Sequence, residues 1–362
     1  MNPPKNHLIV NPVKGWSRLR QSVFFIKLLN WVYWPMWIAN LPVIFIWLWF
    51  GLRARHLFFF SAVNPAIETG GVLGESKINI LRRIPESVLP VTVFVPCGRP
   101  FASVLDEMKQ KGLRFPVIAK PNVGERGLLV TKIESEAQLH QYFRTNKIDF
   151  LIQEFVDLPF EWAVMHHRMP DTGEGRVTSV CIKAPLKVIG DGTSAIRDLM
   201  AANPRALLQL ERFEKTAPDL LSQIPPKGEI VELEPIGNHC RGTKFLNGNH
   251  LIDEELHAVF NRIAAQMEGI YYGRFDMKCA SVEAVRKGQF KVLEYNGIAA
   301  EPAHIYDPAY PLFKKYRDIY RHWKIIFDIY KIQRRRGEKG MTLREALSSF
   351  RNYRRYMAQV GG

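Results

Sequence analysis

The sequence KVLEYNG at 291–297 ends a predicted strand with a carboxylate and an amide. Side chains alternate along a strand, so Glu294 and Asn296, which are two positions apart, point to the same face. Their oxygen atoms would converge, and carboxylate and amide oxygens suit a hard cation such as Mg²⁺. A strand that simply ends in a polar turn would contain the same residues, so this run alone leaves both interpretations open.

A second strand, YYGRFDMK at 271–278, carries a similar pair. Arg274 and Asp276 are again two positions apart and share a face. If this strand neighbours the first, Asp276 joins the two oxygen ligands there, and Arg274 supplies a cation where a phosphoryl group would lie. The combination is more specific for phosphoryl chemistry than either pair.

Two earlier stretches are typical of a nucleotide site. In FPVIAKPNVGERGLLVTKI, a predicted strand ends at Lys120 and a loop with Gly124 and Gly127 follows. Glycines let backbone N–H groups approach phosphates, and a lysine neutralises them. In DFLIQEFVDLPFEWAV, Glu154 and Glu161 could accept hydrogen bonds from adenine and ribose. An ordinary hairpin and surface acids at a turn are the alternatives.

A third region contains GDGT at 190–193, which predicts a tight turn before a helix. Farther along, one predicted loop is crowded with hydrogen-bond donors: Asn238, His239, Arg241, Thr243 and Lys244. Such a density of donors suits an anion, although a solvated loop would show the same composition.

The order of these motifs resembles that of the ATP-grasp superfamily, over about 76–308. The RFD and EYN motifs are similar to those of D-alanine–D-alanine ligases. GDGTSAIRDL and IPPKGEIVELEPIGNHCRGT are similar to cyanophycin synthetases. The resemblance implies an α+β fold in which two α/β subdomains enclose ATP.

The resemblance also implies roles for individual residues. ATP would contact Lys77, Lys120, Gly124, Arg126, Gly127, Glu154, Phe155, Val156 and Glu161. One or two Mg²⁺ ions, or Mn²⁺, would be bound by Asp276, Glu294 and Asn296. The catalytic cations would be Arg274, Lys183 and Arg241. Candidate substrate residues are Asn238, His239, Thr243, Lys244, Glu301 and His304, with Glu68, Gly70 and Gly71 in an unusual loop.

Composition indicates a folded protein that prefers anionic partners. The 362 residues are 47% hydrophobic and 23% charged, with a formal charge of +15. No zinc-finger, RNP-type or helix-turn-helix motif occurs, and the basic residues gather at the chain ends, which argues against nucleic acid. The four cysteines form no CxxC pair, which argues against a zinc site or a disulfide framework and fits a reducing compartment.

The stretch 23–50 is almost wholly apolar and rich in tryptophan. Pro35, Asn40 and Pro42 would kink or break a helix there, which favours a helical hairpin that dips into one leaflet. Basic residues on both flanks favour the cytoplasmic face of a bacterial-type inner membrane for both ends. A single membrane span and a core helix of a soluble protein are the alternatives.

The C-terminal region predicts a basic helical extension. Apolar residues recur at helical spacing at Leu312, Tyr316, Ile319, Trp323, Ile326 and Tyr330. Thr342 and Glu345 form a predicted capping box that opens a last helix. Such a helix could lie on an anionic membrane or pack on its own domain.

Four segments follow from these patterns: a membrane-associated segment 1–60, a reduced linker region 61–115, a catalytic domain 116–310 and a helical extension 311–362. The resemblance implies a carboxylate–amine ligase that works through an acyl phosphate. The apolar segment stands where relatives carry a substrate domain, so we expect a lipid or lipid-linked substrate. A membrane-tethered ligase for soluble amino acids or peptides and a non-catalytic nucleotide-binding scaffold are the alternatives.

Overall fold

The computed structural model describes residues 36–125, 127–234 and 242–361. Four predicted site residues, Arg126, Asn238, His239 and Arg241, lie outside these ranges. The helices of the described part are α1 (Met36–Ala54), α2 (Lys77–Leu81), α3 (Phe101–Gln110), α4 (Glu136–Thr145), α5 (Ile196–Ala202), α6 (Pro204–Leu207), α7 (Leu210–Thr216), α8 (Pro218–Leu221), α9 (Glu254–Ala265), α10 (Val282–Arg286), α11 (Leu312–Arg335) and α12 (Leu343–Gly361). Its strands are β1 (Thr92–Val95), β2 (Val117–Pro121), β3 (Thr131–Ile133), β4 (Phe150–Glu154), β5 (Phe160–Arg168), β6 (Gly175–Ala184), β7 (Lys187–Ile189), β8 (Ile230–Glu232), β9 (Lys244–Asn247), β10 (Tyr272–Cys279) and β11 (Phe290–Asn296).

The chain forms two compact units. The smaller unit includes Leu186–Leu233, where the hairpin β7–β8 and the short helices α5 to α8 share a core that includes Val188, Met200 and Phe213. The larger unit comprises Asn40–Pro185 and Glu234–Gly362 and contains both larger sheets. The segment boundaries drawn from the sequence stay predictions.

The first sheet of the larger unit has the strand order β1-β4-β2-β3 and is antiparallel throughout. Its core joins Val93, Val117 and Ile152 of the strands to Val104 of α3 and Leu139 of α4. Alternating burial along β1 reflects this one-sided packing. The sheet and its helices therefore make one α/β layer.

The second sheet has the order β11-β10-β5-β6-β9 and is also antiparallel. Helix α9 covers it, and its Phe260 ring stacks on Phe290 with centroids 5.5 Å apart. In this sheet Asp276 lies opposite Glu294. The prediction that the RFD and EYN strands are neighbours is confirmed, as is the α+β class.

Helix α1 runs without interruption through Asn40 and Pro42, so the predicted break at these residues is wrong. The second half of the helix buries Phe50 and Ala54, and Phe50 contacts Phe327 of α11. Burying a side chain such as that of Phe50 contributes about 1.5–3 kcal/mol, which offsets much of a cost of about 3 kcal/mol for an internal proline. The rest of the predicted hairpin lies before residue 36, outside the described residues.

The opposite face of α1 is apolar and exposed. We call it the apolar stripe; it consists of Leu41, Ile44, Phe45, Leu48, Trp49 and Leu52. The spacing of three and four residues places all six on one side of the helix. Within the ranges described above, no helix combines the length and apolar character needed to cross a bilayer.

The C-terminal prediction is confirmed for secondary structure. Helix α11 buries Ile319, Ile326 and Tyr330, so it packs on its own unit, as one of the two alternatives predicted. At the start of α12, the Thr342 N–H donates to Glu345 Oε2 at 2.7 Å and the Glu345 N–H donates to Thr342 Oγ1 at 3.3 Å. These two bonds are the predicted capping box.

Candidate active site

A cavity of about 470 Å³ is lined by residues of both larger sheets, a volume within the usual range for small-molecule sites. Every predicted nucleotide residue that the structure describes lines it: Lys77, Lys120, Gly124, Gly127, Glu154, Phe155, Val156 and Glu161. The predicted metal ligands Asp276, Glu294 and Asn296 and the predicted catalytic residues Arg274 and Lys183 also line it. Residues up to 219 positions apart in the sequence (77 to 296) thus meet in one cavity.

Lys120, near the end of β2, is a buried lysine. Among the described residues, no carboxylate is in hydrogen-bond contact with it. Its Nζ donates to Gln153 Oε1 at 2.9 Å and to the Leu293 carbonyl at 2.8 Å. Burial lowers the pKa of Lys120 to about 8. A phosphate at this point would supply the negative charge that the ammonium lacks.

Lys77 opens the short helix α2, whose position is fixed by Asn122. The Lys77 N–H donates to the Asn122 carbonyl at 2.9 Å, and the Ile78 N–H donates to Asn122 Oδ1 at 3.0 Å. The Lys77 ammonium donates to the Gly124 carbonyl and lies 3.4 Å from Glu294 Oε1. Lys77 therefore links the glycine loop to the end of β11.

The glycine loop is covered by the C-terminal helix α12. Gly124 has a φ of 144°, a conformation that favours glycine. The Tyr356 hydroxyl donates to the Val123 carbonyl at 2.9 Å, and the Tyr353 hydroxyl donates to Glu125 Oε1 at 3.2 Å. The sequence did not predict that the last helix would hold this loop.

Residues 154–156 connect the two sheets. Glu154 Oε2 accepts a hydrogen bond from the Val91 N–H at 3.0 Å, so one of its oxygens is already used by the backbone. Lys132 and Lys278 lie over the Phe155 ring, 4.5 Å and 5.5 Å from its centroid. These contacts make the connection one wall of the cavity.

Lys183 lies between two carboxylates. Its Nζ is 2.7 Å from Glu161 Oε1 and 3.4 Å from Asp276 Oδ2. Burial alone would lower the pKa of Lys183, but the charges of Asp276 and Glu161 outweigh it and raise the pKa. The ammonium is therefore already neutralised by protein groups.

Arg274 forms a bidentate ion pair with Asp276, which is also on β10. Arg274 Nε donates to Asp276 Oδ1 at 2.8 Å and Nη2 donates to Oδ2 at 3.1 Å, while Nη1 donates to the Glu301 carbonyl at 3.2 Å. Burial favours the neutral carboxyl, yet Arg274 and Lys183 lower the pKa of Asp276. Asp276 is consequently an anion at neutral pH.

The donor set fits a hard divalent cation that also binds phosphate. Asp276 and Glu294 are the carboxylates, and Asn296 Nδ2 lies 3.4 Å from Asp276 Oδ2. No group of three or more acidic, histidine or cysteine side chains suited to a metal occurs in the described ranges. Mg²⁺ tolerates such a small protein contribution because it keeps waters and binds substrate phosphates.

Two predicted substrate residues do not line the cavity. His304 is buried, with Nδ1 2.7 Å from Ser179 Oγ and Nε2 3.3 Å from Asp318 Oδ2. The Glu301 carboxylate accepts a hydrogen bond from the Tyr306 hydroxyl, although the Glu301 carbonyl does hold Arg274. Glu301 therefore supports the cavity lining through its backbone carbonyl.

The other described candidates for substrate contact also lie outside the lining. Thr243 is fully buried, and Lys244 pairs with Ala184 at the edge of the second sheet. Glu68 accepts a hydrogen bond from Asn79 Nδ2 at 2.9 Å. Their placement gives no direct contact with the cavity.

Gly70 and Gly71 pack against the backbone that follows the EYN motif. A Cβ on Gly71, whose φ is +86°, would lie 2.6 Å from Gly297 Cα. The Ala299 N–H donates to the Gly71 carbonyl at 2.9 Å. This close approach requires glycine and holds the end of β11 in place.

Several cavity residues were missed by sequence reasoning, among them Glu75, Gln153 and Lys278. Gln153 is a polar residue within an apolar strand, and Lys278 is two positions after Asp276. Alternation along β10 places Lys278 on the same face as Asp276, so this signal was present in the sequence.

No family model and no curated protein sequence matches the chain. Among solved structures, a bifunctional glutathione synthetase from Pasteurella multocida matches at 16% identity and a TM-score of 0.38, over 69% of this chain and 35% of that one. A D-Ala:D-Ser ligase from Enterococcus faecalis matches at 12% identity and a TM-score of 0.40, over 70% and 61%. A D-alanine–D-alanine ligase from Bacillus anthracis matches at 14% identity and a TM-score of 0.39, over 73% and 67%.

The resemblance to D-alanine–D-alanine ligases read from the motifs is thus found again among solved structures. The chain spans about a third of the glutathione synthetase and about two thirds of the ligases.

Proposed function

We propose that this protein is an ATP- and Mg²⁺-dependent carboxylate–amine ligase of the ATP-grasp type. The observation that carries the proposal is the meeting of Lys77 and Lys120 with the oxygen ligands Asp276, Glu294 and Asn296 in one cavity. Cations and metal ligands in a buried cavity are what phosphoryl transfer requires, because that reaction depends mostly on positioning and charge neutralisation.

ATP would lie with its phosphates toward Lys120 and the glycine loop and its base toward 154–156. Lys120 and Lys77 would neutralise phosphate oxygens. Arg274 is held by Asp276 and by a backbone carbonyl, so it is already oriented when the phosphoryl group arrives. Mg²⁺, bound by Asp276, Glu294 and Asn296, would neutralise charge on the phosphates.

The proposed reaction has two steps. A substrate carboxylate oxygen attacks the γ-phosphorus, the bond from that phosphorus to the bridging oxygen breaks, and ADP leaves with the electron pair. An amine then attacks the acyl carbon, the C–O bond to phosphate breaks, phosphate leaves, and the nitrogen loses a proton. Neither step needs a serine or cysteine nucleophile, and both described cysteines nearest the cavity, Cys181 and Cys279, are buried with raised thiol pKa values of about 12 caused by burial.

The substrate class that fits best is a membrane lipid or a lipid-linked acid or amine at the cytoplasmic face of a bacterial-type inner membrane. The apolar stripe of α1 supports this part of the proposal, because six large apolar side chains are exposed on one face. The net charge of +15 supports attraction to an anionic surface.

ADP release by detergent-purified full-length protein with ATP and Mg²⁺ tests the proposal. Total membrane lipid extract and amino-acid pools are added separately and together. We expect turnover that requires the lipid extract. Turnover with amino acids alone would indicate a soluble substrate. Binding of ATP–Mg²⁺ without ADP release in any of the mixtures would favour a nucleotide-binding scaffold.

A further inference from the structure

A second cavity, of about 370 Å³, lies where the end of α1 meets the end of α11. We call it the arginine pocket; it is lined by Arg53, Arg334, Arg335 and Lys331 around the rings of Phe327 and Tyr330. None of these residues lines the nucleotide cavity, so the two sites are separate.

The pocket has an uncompensated positive charge. Lys331 pairs with Asp328 at 2.8 Å. Within the described ranges, Arg53, Arg334 and Arg335 form no ion pair with a carboxylate, and no acidic residue lines the pocket. Three guanidinium groups therefore line a shared space to which the described part of the chain contributes no anion.

The ends of helices α1 and α11 supply a partial negative charge, which explains some of this clustering. Arg334 Nη1 donates to the Ala54 carbonyl at the end of α1, at 3.4 Å. The helix ends offer only about half a unit charge each, and in the described ranges Arg53 and Arg335 form no hydrogen bond to a terminal carbonyl. Helix-end stabilisation accounts for Arg334 and leaves the other two arginines unexplained.

Two of the cations lie over the aromatic floor. The Arg53 guanidinium lies 5.2 Å from the centroid of the Phe327 ring and the Lys331 ammonium lies 5.3 Å from it. Phe327 and Tyr330 are buried and fixed in the core. The Phe327 ring positions Arg53 and the Ala54 carbonyl positions Arg334, so these two guanidinium groups lose little further freedom on binding, and their planar shape matches phosphate oxygens.

The pocket borders one edge of the apolar stripe. Arg53 directly follows Leu52, the last residue of the stripe, and lies one helical turn after the exposed Trp49. A ligand with a phosphate in the pocket and acyl chains along the stripe would satisfy both surfaces. Free phosphate would fill only the pocket and leave the stripe exposed to water.

We infer that the arginine pocket binds the headgroup phosphate of an anionic phospholipid whose acyl chains lie along the apolar stripe. This inference rests on the membrane-surface part of the proposed function. It assigns one side of the larger unit, the side that carries α1 and the end of α11, to the membrane.

Binding of full-length protein to vesicles of phosphatidylcholine, with and without phosphatidylglycerol, tests the inference. The variant R53Q/R334Q/R335Q is compared with R82Q/R114Q/R144Q, which removes the same charge from exposed arginines outside the pocket. Each pocket arginine near the surface contributes roughly fivefold, so the pocket variant should lose about 100-fold in affinity for the anionic vesicles. The control variant should lose no more than about threefold, since its charges lie away from the contact.

A charge-conserving variant, R53K/R334K/R335K, separates a built phosphate site from diffuse attraction. Lysine keeps the positive charge but cannot form the bidentate contact of a guanidinium with phosphate. We therefore expect the affinity for anionic vesicles to fall about tenfold. If this variant and the wild type bound anionic vesicles with equal affinity, the inference of a phosphate-binding pocket would be wrong. It would also be wrong if the two glutamine variants lost the same affinity. The thermal unfolding of each variant, and its ATP binding, should match the wild type.

Two further outcomes separate the inference from the proposed function. If the wild type did not bind anionic vesicles, both the inference and the membrane part of the proposed function would be wrong. The proposal of ATP-dependent turnover would be unaffected. If inorganic phosphate bound the wild type but not the glutamine variant, while vesicle binding was the same for both, the ligand would be soluble phosphate and the lipid assignment would be wrong.

Discussion

Lys120 and Lys183 are both buried in the same cavity, but their surroundings are opposite. Lys120 is held by an amide oxygen and a carbonyl, and burial lowers its pKa to about 8. Lys183 lies between Glu161 and Asp276, and its pKa is raised despite burial. The comparison indicates that the Lys120 end of the cavity accepts an anion, whereas Lys183 mainly holds two acids in position.

The largest expected effect concerns Lys183. Lys183→Met leaves Glu161 without this cation and leaves Asp276 with Arg274 alone, which should lower the free energy of unfolding by about 3 kcal/mol, because a hydrogen bond to a charged group contributes about 1.5–3 kcal/mol. Urea denaturation measures it, with Lys287→Met, an exposed lysine, as the control. A stability equal to that of the control would mean that Lys183 is not structural.

Lys120→Met should give the reverse pattern. Removing this buried cation relieves its desolvation cost but leaves Gln153 and the Leu293 carbonyl without a donor, so the free energy of unfolding should change less than in Lys183→Met. The affinity for ATP should fall about 10- to 100-fold, because a charge-assisted contact to phosphate contributes about 1.5–3 kcal/mol. Titration calorimetry measures the affinity, and an unchanged value would remove Lys120 from the phosphate site.

The lowered pKa of Lys120 predicts a pH dependence of binding. In the free protein the ammonium loses its proton above about pH 8, whereas a bound phosphate keeps it protonated. Binding then takes up a proton, so ATP affinity should fall above pH 8 by up to about tenfold per pH unit. Lys120→Arg should flatten the profile, because arginine keeps its charge; an equally steep profile in this variant would assign the titration to another group.

The smallest effect concerns α12. Tyr356→Phe removes the hydrogen bond to the Val123 carbonyl in the glycine loop, which contributes about 1 kcal/mol. ATP affinity should fall roughly fivefold or less in the same titration. Tyr320→Phe on α11 serves as the control, and an identical result for the two variants would show that α12 does not position the loop.

Much of the candidate nucleotide cavity could be predicted from the sequence, because alternation along a strand is a strong constraint. Glu294 and Asn296 were placed on one face from their spacing alone, and both line the cavity. Lys120 and Gly124 were found as the strand end and the loop that follows it. Local spacing was sufficient for these residues.

Residues that depend on packing between distant segments were not predictable. His304 and Glu301 lie close to the EYN motif in sequence, yet their side chains face Ser179 and Tyr306 instead of the cavity. The contact of Tyr356 with the glycine loop joins segments 233 positions apart. Helix α1 passes through Pro42 because burial of its far half outweighs a local preference.

The central claim is that the cavity binds ATP together with Mg²⁺. The most direct measurement is ATP affinity with and without Mg²⁺ for the wild type, Glu294→Gln and the exposed control Glu86→Gln. We predict that Mg²⁺ tightens binding by about tenfold or more in the wild type and the control, and that Glu294→Gln loses this dependence while its thermal unfolding is unchanged. Full Mg²⁺ dependence in Glu294→Gln, or a wild type that binds no ATP, would contradict the account.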